Sequence, residues 1–263
     1  MRANLLLPPR RRLVVPLLLT VLLLAACSPA TRASEESASP SPPIIDHGVA
    51  TVSLDDGTIG QYMYARPVLR KNNLHGTYYL ISDALGWGSD TINPDQAREL
   101  LDEGNEIGNH TRDHKDLAKL TTAQVTAEFA DAQQAIESQV GVRPSTCAYP
   151  YGSNTAAVLA EAAKQFEGCR SNQGGFNERG RLAAYNLFSY YVQRGTTAAE
   201  IREAAEEART SNTWVVFVYH GVEPKPEGAD DVTPTLFAAH MDAIVSTGIP
   251  VQTMESALAA MSR

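Results

Sequence analysis

The sequence predicts an α/β fold, an irregular barrel in which strands and helices alternate. Three observations carry that expectation. Short apolar runs alternate with amphipathic stretches throughout 44–263, which implies parallel strand pairing through helical crossovers. The count, about seven or eight strand–helix units, suits a closed barrel better than an open doubly wound sheet. The residues best suited to chemistry each follow an apolar run, and barrels gather such residues beyond the C-terminal ends of their strands.

Residues 49–54 read as a first buried strand. A helix over 62–71 follows, with Met63, Pro67, Val68 and Leu69 on its apolar side. Residues 76–81 form a strand and 93–103 a helix with Ala97, Leu100 and Leu101 inward, and 106–108 is a short strand. The longest helix is 121–140, where Val125, Phe129, Ala132 and Ile136 recur at three- and four-residue spacing. Gly141 suits its C-cap. A strand at 144–149, a helix at 154–165 and a strand at 168–171 come next. Residues 172–185, rich in Gly and Asn without periodicity, read as a loop. The remainder is strand 187–192, helix 198–209, strand 214–219, helix 234–246, strand 249–252 and helix 254–261.

The N-terminus lies outside this pattern. Arg2 and the run Arg10, Arg11 and Arg12 precede an apolar stretch at 13–24, then Leu24-Ala25-Ala26-Cys27. A basic region, a short apolar core and a small-residue cleavage site describe an export signal. The core is shorter than the roughly 20 residues that span a bilayer. Its ending resembles the bacterial lipoprotein box, which implies a lipid on Cys27 and attachment to the cell-envelope membrane outside the cytoplasm. Cleavage nearby without lipid is the plainer alternative, and the Arg run gives only a weak twin-arginine signal. Residues 28–43, rich in Ser and Pro, form a flexible tether, and 44–263 is long enough for one domain with a sizeable core.

The chain carries a net charge of −8. Without Arg2, Arg10, Arg11 and Arg12, 18 basic side chains face 30 acidic ones, a charge of −12. No basic cluster survives in the domain, which argues against nucleic acid as a partner. Cys147 and Cys169 belong to consecutive βα units, so they are either a disulfide across neighbouring strands or two buried thiols.

Three segments offer a hydrolytic metal site: Ser53-Leu54-Asp55-Asp56-Gly57, His110-Thr111-Arg112-Asp113-His114 and Tyr219-His220-Gly221. The two imidazoles of the second segment lie four residues apart, which puts them on one face of a helical turn. One carboxylate and two histidines make a three-ligand site with an open position, the pattern of a catalytic ion. One Asp and one His are then left for a base and an acid. His47, His75 and His240 lack ligand spacing and read as structural or exposed.

The chain resembles the polysaccharide deacetylases of carbohydrate esterase family 4, the NodB-homology domain. Ser53–Gly57 is similar to the family's Thr-Phe-Asp-Asp-Gly block and His110–His114 to its His-Ser/Thr-x-x-His block. Ala148-Tyr149-Pro150-Tyr151-Gly152 is similar to its third block, and His220 to its last. The resemblance implies an irregular (β/α)7-type barrel over 44–263, a deacetylase catalytic domain. It also implies that Asp56, His110 and His114 bind one divalent ion, Zn²⁺ foremost with Co²⁺ as an alternative. Asp55 is then the base and His220 the acid, with a backbone N–H near Tyr151 donating to the oxyanion.

Two features depart from the family. Its third block begins with Arg where this chain has Ala148, and Arg194 is the candidate replacement for orienting Asp55. The Asp-Trp block that supports the acid histidine is missing, which leaves the carboxylate partner of His220 unassigned. Val218 lies where the family lines an acetyl pocket, and it reads equally as barrel core. Tyr149, Tyr151, Trp87 and Trp214 are candidates for stacking on sugar rings, with burial favoured for Trp214.

The implied activity is N-deacetylation of an extracellular or cell-wall polysaccharide of the N-acetylglucosamine type. O-deacetylation of xylan or a cell-wall sugar is the chemical rival. A catalytically silent glycan-binding lipoprotein is the rival from another class.

Overall fold

The structure, a computed structural model, describes residues 47–263. The export signal, Cys27 and the tether lie outside the described residues. Seven parallel strands close a barrel: β1 (Val49–Leu54), β2 (Thr77–Leu80), β3 (Glu106–Asn109), β4 (Thr146–Ala148), β5 (Gly168–Gly174), β7 (Leu187–Tyr191) and β8 (Thr213–Tyr219). Closure comes from the β1–β8 ladder, which runs in register from Val49↔Trp214 to Leu54↔Tyr219. Both strands are covered on two faces, so β1 and β8 read as continuous buried runs rather than alternating ones. A two-residue strand, β6 (Asn177–Glu178), pairs antiparallel with Thr213 and Trp214.

The barrel is irregular in two places. β3 and β4 share a single pairing, Asn109↔Cys147, and β5 slips against β7 between Arg170 and Gly174. The helices between strands start where side chains satisfy their free N–H groups. Asn93 and Gln96 make a capping box for α2 (Pro94–Asp102), Thr121 and Gln124 for α3 (Thr122–Val140), and Thr197 and Glu200 for α5 (Ala198–Ser211). Gly141, at φ 91°, ends α3 in the left-handed conformation that glycine adopts without penalty.

Alternate residues of each strand face inward. Val49, Tyr79, Ala148, Leu187, Trp214, Val216 and Val218 form one buried cluster with Met254, Ala257, Leu258 and Met261 of α7 (Met254–Met261). That helix plugs the N-terminal end of the barrel: Glu255 N donates to Glu106 Oε2 (2.8 Å) and Met254 N to Thr77 Oγ1 (2.9 Å). Trp214 is fully buried, with its indole N–H donated to Thr51 Oγ1 at 2.9 Å. At Gly108 an added Cβ would lie 2.2 Å from the Tyr79 ring, so glycine there makes room for an aromatic inside the barrel. Continued toward the C-terminal ends of the strands, the same inward parity reaches Asp55, His110, Arg170, Tyr191 and His220.

Four sequence expectations change. The stretch 62–71 opens with a π-helical turn (Gln61–Ala65) before α1 (Arg66–Lys71). Within 172–185, β5 continues to Gly174 and β6 forms; Asn177 supplies hydrogen bonds to Phe188 and to Trp214 O that its polar composition disguised. Residues 249–252 give one isolated bridge, Val251↔Ala50, beside the part of β1 that precedes its pairing with β2. Pro250 cannot donate to a longer ladder. The segment from His110 to His114 is a non-helical turn.

Candidate active site

At the exit of β1, Asp55 N donates to Tyr219 O (2.9 Å), so Asp55 keeps the inward orientation of the strand and is 3% exposed. Asp56 and Gly57 then take left-handed φ values of 72° and 68°. That reversal turns the second carboxylate away from the first. Two adjacent Asp side chains thereby occupy two sites.

His110 leaves β3 with its Nδ1 at 2.9 Å from Ala148 O. The contact makes Nδ1 the donor and turns Nε2 towards Asp56 Oδ1 at 3.4 Å. His114 Nε2 lies at the same distance, 3.4 Å, from that oxygen. The two imidazoles converge because Thr111 (φ 67°) and His114 (φ 61°) are left-handed, not because the segment is helical. Asn109 Oδ1 accepts Thr111 N (2.8 Å) and Thr111 Oγ1 accepts His114 N (3.1 Å), which hold the turn at both ends.

One ligand atom from each of Asp56, His110 and His114 falls within 4.8 Å of the others. Asp56 Oδ1 is buried and has no hydrogen-bond partner among the described residues. An orphaned carboxylate oxygen facing two imidazole nitrogens is costly unless a cation answers it. Spacings of 3.4 Å also match the edge, about 3.3–3.6 Å, of a tetrahedron with the 2.0–2.2 Å bonds of zinc. The residues fit a divalent ion.

Charge favours the same arrangement. Burial works against ionisation of Asp56, but His110 foremost among the imidazoles holds its pKa down to about 2. Burial likewise opposes ionised Asp55, and Arg170, His110 and His220 outweigh it, keeping the carboxyl below its ordinary range. His110 is raised, since Asp55 and Asp56 overcome its burial; His114 is lowered by burial and by the charge of His110.

Arg170, not Arg194, holds Asp55. Its Nη2 donates to Asp55 Oδ1 and its Nε to Ser53 Oγ (3.1 Å), while the guanidinium lies 5.1 Å from the Tyr79 ring centre. Arg170 pairs in register with Ala148, so the guanidinium missing from the third block comes from the adjacent strand. Arg194 instead donates to the carbonyls of Pro226 and Gly228, bracing the loop that leads to Asp230. Cys147 and Cys169, one residue before Ala148 and Arg170, are disulfide-bonded across β4 and β5. Of the two sequence alternatives, the structure takes the disulfide.

Opposite Asp56, His110 and His114, His220 Nε2 lies 3.9 Å from Asp55 Oδ2 and 3.4 Å from Tyr191 Oη. Tyr191 Oη donates to Asp230 Oδ2 at 3.0 Å. Asp230 is thus the carboxylate behind His220, reached through a phenol rather than directly. Gln61, buried in the π-helical turn, donates its amide to Asp55 O and to His220 O (2.9 Å), tying the two backbones together.

A cavity of about 210 Å³ is lined by Asp55, Asp56, His110, His114, Arg170 and His220, with Tyr151 and Tyr191 at its walls. Tyr151 has φ 60°, is 65% exposed and stacks edge-on against His114 at 4.7 Å. Val218 is fully buried in the inward cluster below and does not line the cavity, so it is core. Trp87 is exposed and His240 is buried, hydrogen-bonded to Tyr219 Oη and Thr196 O, a structural histidine.

Sequence reasoning missed Arg170, Tyr191, Asp230 and Gln61. Arg170 and Tyr191 each continue the inward set of their strands, a parity that only the register with the neighbouring strands fixes. Asp230 and Gln61 act through loop and turn geometry, for which the sequence carried no signal.

Comparison with known proteins bears on the fold and on the first part of the chain. Residues 46–166 match the family model described as polysaccharide deacetylase. A peptidoglycan-N-acetylglucosamine deacetylase of Listeria monocytogenes is 32% identical over 94 residues, 35% of this chain and 19% of the relative. A chitin deacetylase of a Pestalotiopsis species is 29% identical over 109 residues, 41% of this chain and 36% of the relative. The aligned segments span well under half the length of these curated relatives. A family 4 acetyl xylan esterase from Clostridium thermocellum, solved with a cobalt ion, shares the fold with a TM-score of 0.57 at 18% identity, covering 80% of this chain and 89% of that one.

Proposed function

We propose that the chain is a metal-dependent hydrolase that removes N-acetyl groups from an extracellular or cell-wall polysaccharide of the N-acetylglucosamine type. One observation carries the reading. A three-ligand cradle, a separate ionised carboxylate and a separate imidazole converge on one cavity. The relatives named for peptidoglycan N-acetylglucosamine and for chitin support the choice of an N-acetylated sugar.

Asp56, His110 and His114 hold the divalent ion, Zn²⁺ by its preference for this donor set, with Co²⁺ as an alternative. When bound, the ion supplies Lewis acidity toward the attacking water and the amide carbonyl. Asp55, kept ionised by Arg170, takes the water's proton as the new C–O bond forms. A backbone N–H near Tyr151, at the cavity wall, donates to the oxygen that gains charge. As the C–N bond breaks, protonated His220 gives its proton to the departing nitrogen, because an amine leaves poorly as an anion. Acetate and a free amine result.

Arg170 answers one of the two motives for a catalytically silent reading, Ala148 and the missing Asp-Trp block, since it supplies the cation that Ala148 cannot. On the sequence, the domain is exported and anchored through lipid on Cys27, which a Cys27→Ser variant tests by release from membranes. Activity is tested by acetate release from chitin-type oligomers and from acetylated xylan, with and without chelator. Chelator-sensitive release from the oligomers supports the reading. Release from xylan alone favours the O-acetyl esterase, and none from either substrate sinks both.

A further inference from the structure

Helix α3 lays Val125, Phe129, Ala132 and Ile136 against the barrel, and the same face carries Glu128. A carboxylate within an apolar stripe is costly unless charges and hydrogen bonds answer it. Glu128 is 3% exposed, and its partners lie elsewhere in the chain. Its Oε2 accepts the backbone N–H groups of Arg112 (3.2 Å) and Asp113 (3.3 Å). Its Oε1 lies 3.4 Å from Arg112 Nη2 and 3.7 Å from Lys115 Nζ.

Arg112 and Asp113 are the middle of the turn whose ends are His110 and His114. That turn contains two non-glycine residues in the left-handed region, each costing of order 1–3 kcal/mol and persisting only where surroundings enforce it. Asn109 and Thr111 fasten its ends. Two consecutive N–H groups pointing at one carboxylate oxygen fasten its middle.

We propose that Glu128 is a positioning residue for the metal site: it holds the turn from outside, so that both imidazoles face Asp56 before any ion arrives. The inference rests on the metal-dependent reading above. Residues behind metal ligands of this kind affect affinity by roughly 10- to 100-fold. Glu128→Gln keeps an acceptor oxygen for the two N–H groups but loses the charge facing Arg112 and Lys115.

The test titrates Co²⁺ into the purified full chain and reads affinity from its visible absorption. Wild type is compared with Glu128→Ala, Glu128→Gln and Phe237→Leu, a core change on α6 (Pro234–Ser246) whose ring packs on Tyr219. The expected result is about 10- to 100-fold weaker binding for Glu128→Ala, an intermediate loss for Glu128→Gln and none for Phe237→Leu despite a lowered Tm. Unchanged affinity in Glu128→Ala, or equal weakening in Phe237→Leu, overturns the inference. Should Glu128→Ala not fold, Glu128→Gln decides: intermediate weakening supports the role and wild-type affinity overturns it. A wild type that takes up no Co²⁺ sinks the metal reading itself, a separate outcome.

Discussion

On one side of the cavity, β1 and β3 deliver Asp56, His110 and His114 through short turns fixed by neighbouring hydrogen bonds. On the other, β7 and β8 deliver Tyr191 and His220, and the carboxylate behind them comes from a separate loop, at Asp230. The ligand side lies within the segment matched by the family model, 46–166, whereas Arg170, Tyr191, His220 and Asp230 all lie beyond it. A cradle that must place three atoms around one ion tolerates little rearrangement. An acid needs only a proton near the leaving group, and its support is free to change route. The barrel imposes the common inward parity; the loops supply what differs.

The largest effects come from cutting the ligand side. Asp56→Ala and His114→Ala should lose metal and acetate release together, while Asp55→Asn keeps the ion and loses about 10²–10⁴-fold in turnover. Metal content measured beside acetate release separates these cases, and a fully active Asp55→Asn would place the base elsewhere.

On the acid side, His220→Ala should retain the ion yet slow amide substrates by about 10²-fold or more, with a smaller loss on aryl acetates, since a phenolate leaves without a proton. Tyr191→Phe, which removes the link to Asp230, should give a milder version of the same pattern. Equal losses on both substrate types would contradict the acid role and dissolve the contrast between the two sides.

Arg170 serves both sides through Asp55. Breaking a buried pair by removing one partner costs about 3–5 kcal/mol, so Arg170→Met should lower Tm clearly. Its pH profile carries the sharper signal. In the wild type Arg170 helps hold the Asp55 carboxyl below its ordinary range, so the base stays ionised as pH falls. Without the guanidinium, protonation begins at higher pH, and the acidic limb of kcat/KM should move upward. A limb that stays in place would assign Asp55's ionisation to the imidazoles alone.

The disulfide has a smaller, shared effect. It closes a separation of 22 residues, for which loop entropy gives about 3 kcal/mol. Replacing Cys147 and Cys169 with Ala should cost that much in denaturant unfolding while leaving the ligand cradle able to bind its ion. Loss of binding at a temperature where the variant is folded would show that the staple also fixes Ala148 O behind His110.

Much of this molecule was legible before folding. The alternation of apolar runs gave the barrel, and contiguous motifs singled out Asp55, Asp56, His110, His114 and His220, which the fold brings to one cavity. Contiguity also misled: four-residue spacing suggested a helical turn at His110, where left-handed residues do the turning. Arg170 was hidden because an Arg inside a short strand carries no mark of which face it takes until the neighbouring strand sets the register. Arg194 looked suitable by its place near a strand end, yet that end turns its side chain to the loop at 226–228. Val218 was ambiguous from sequence, and the inward packing on β8 settled it as core.

Anomalous diffraction from crystals grown with zinc tests the central claim most directly. The expected result is one peak within bonding distance of Asp56 Oδ1, His110 Nε2 and His114 Nε2. A well-ordered cavity with no peak there, or zinc held only by other residues, would contradict it.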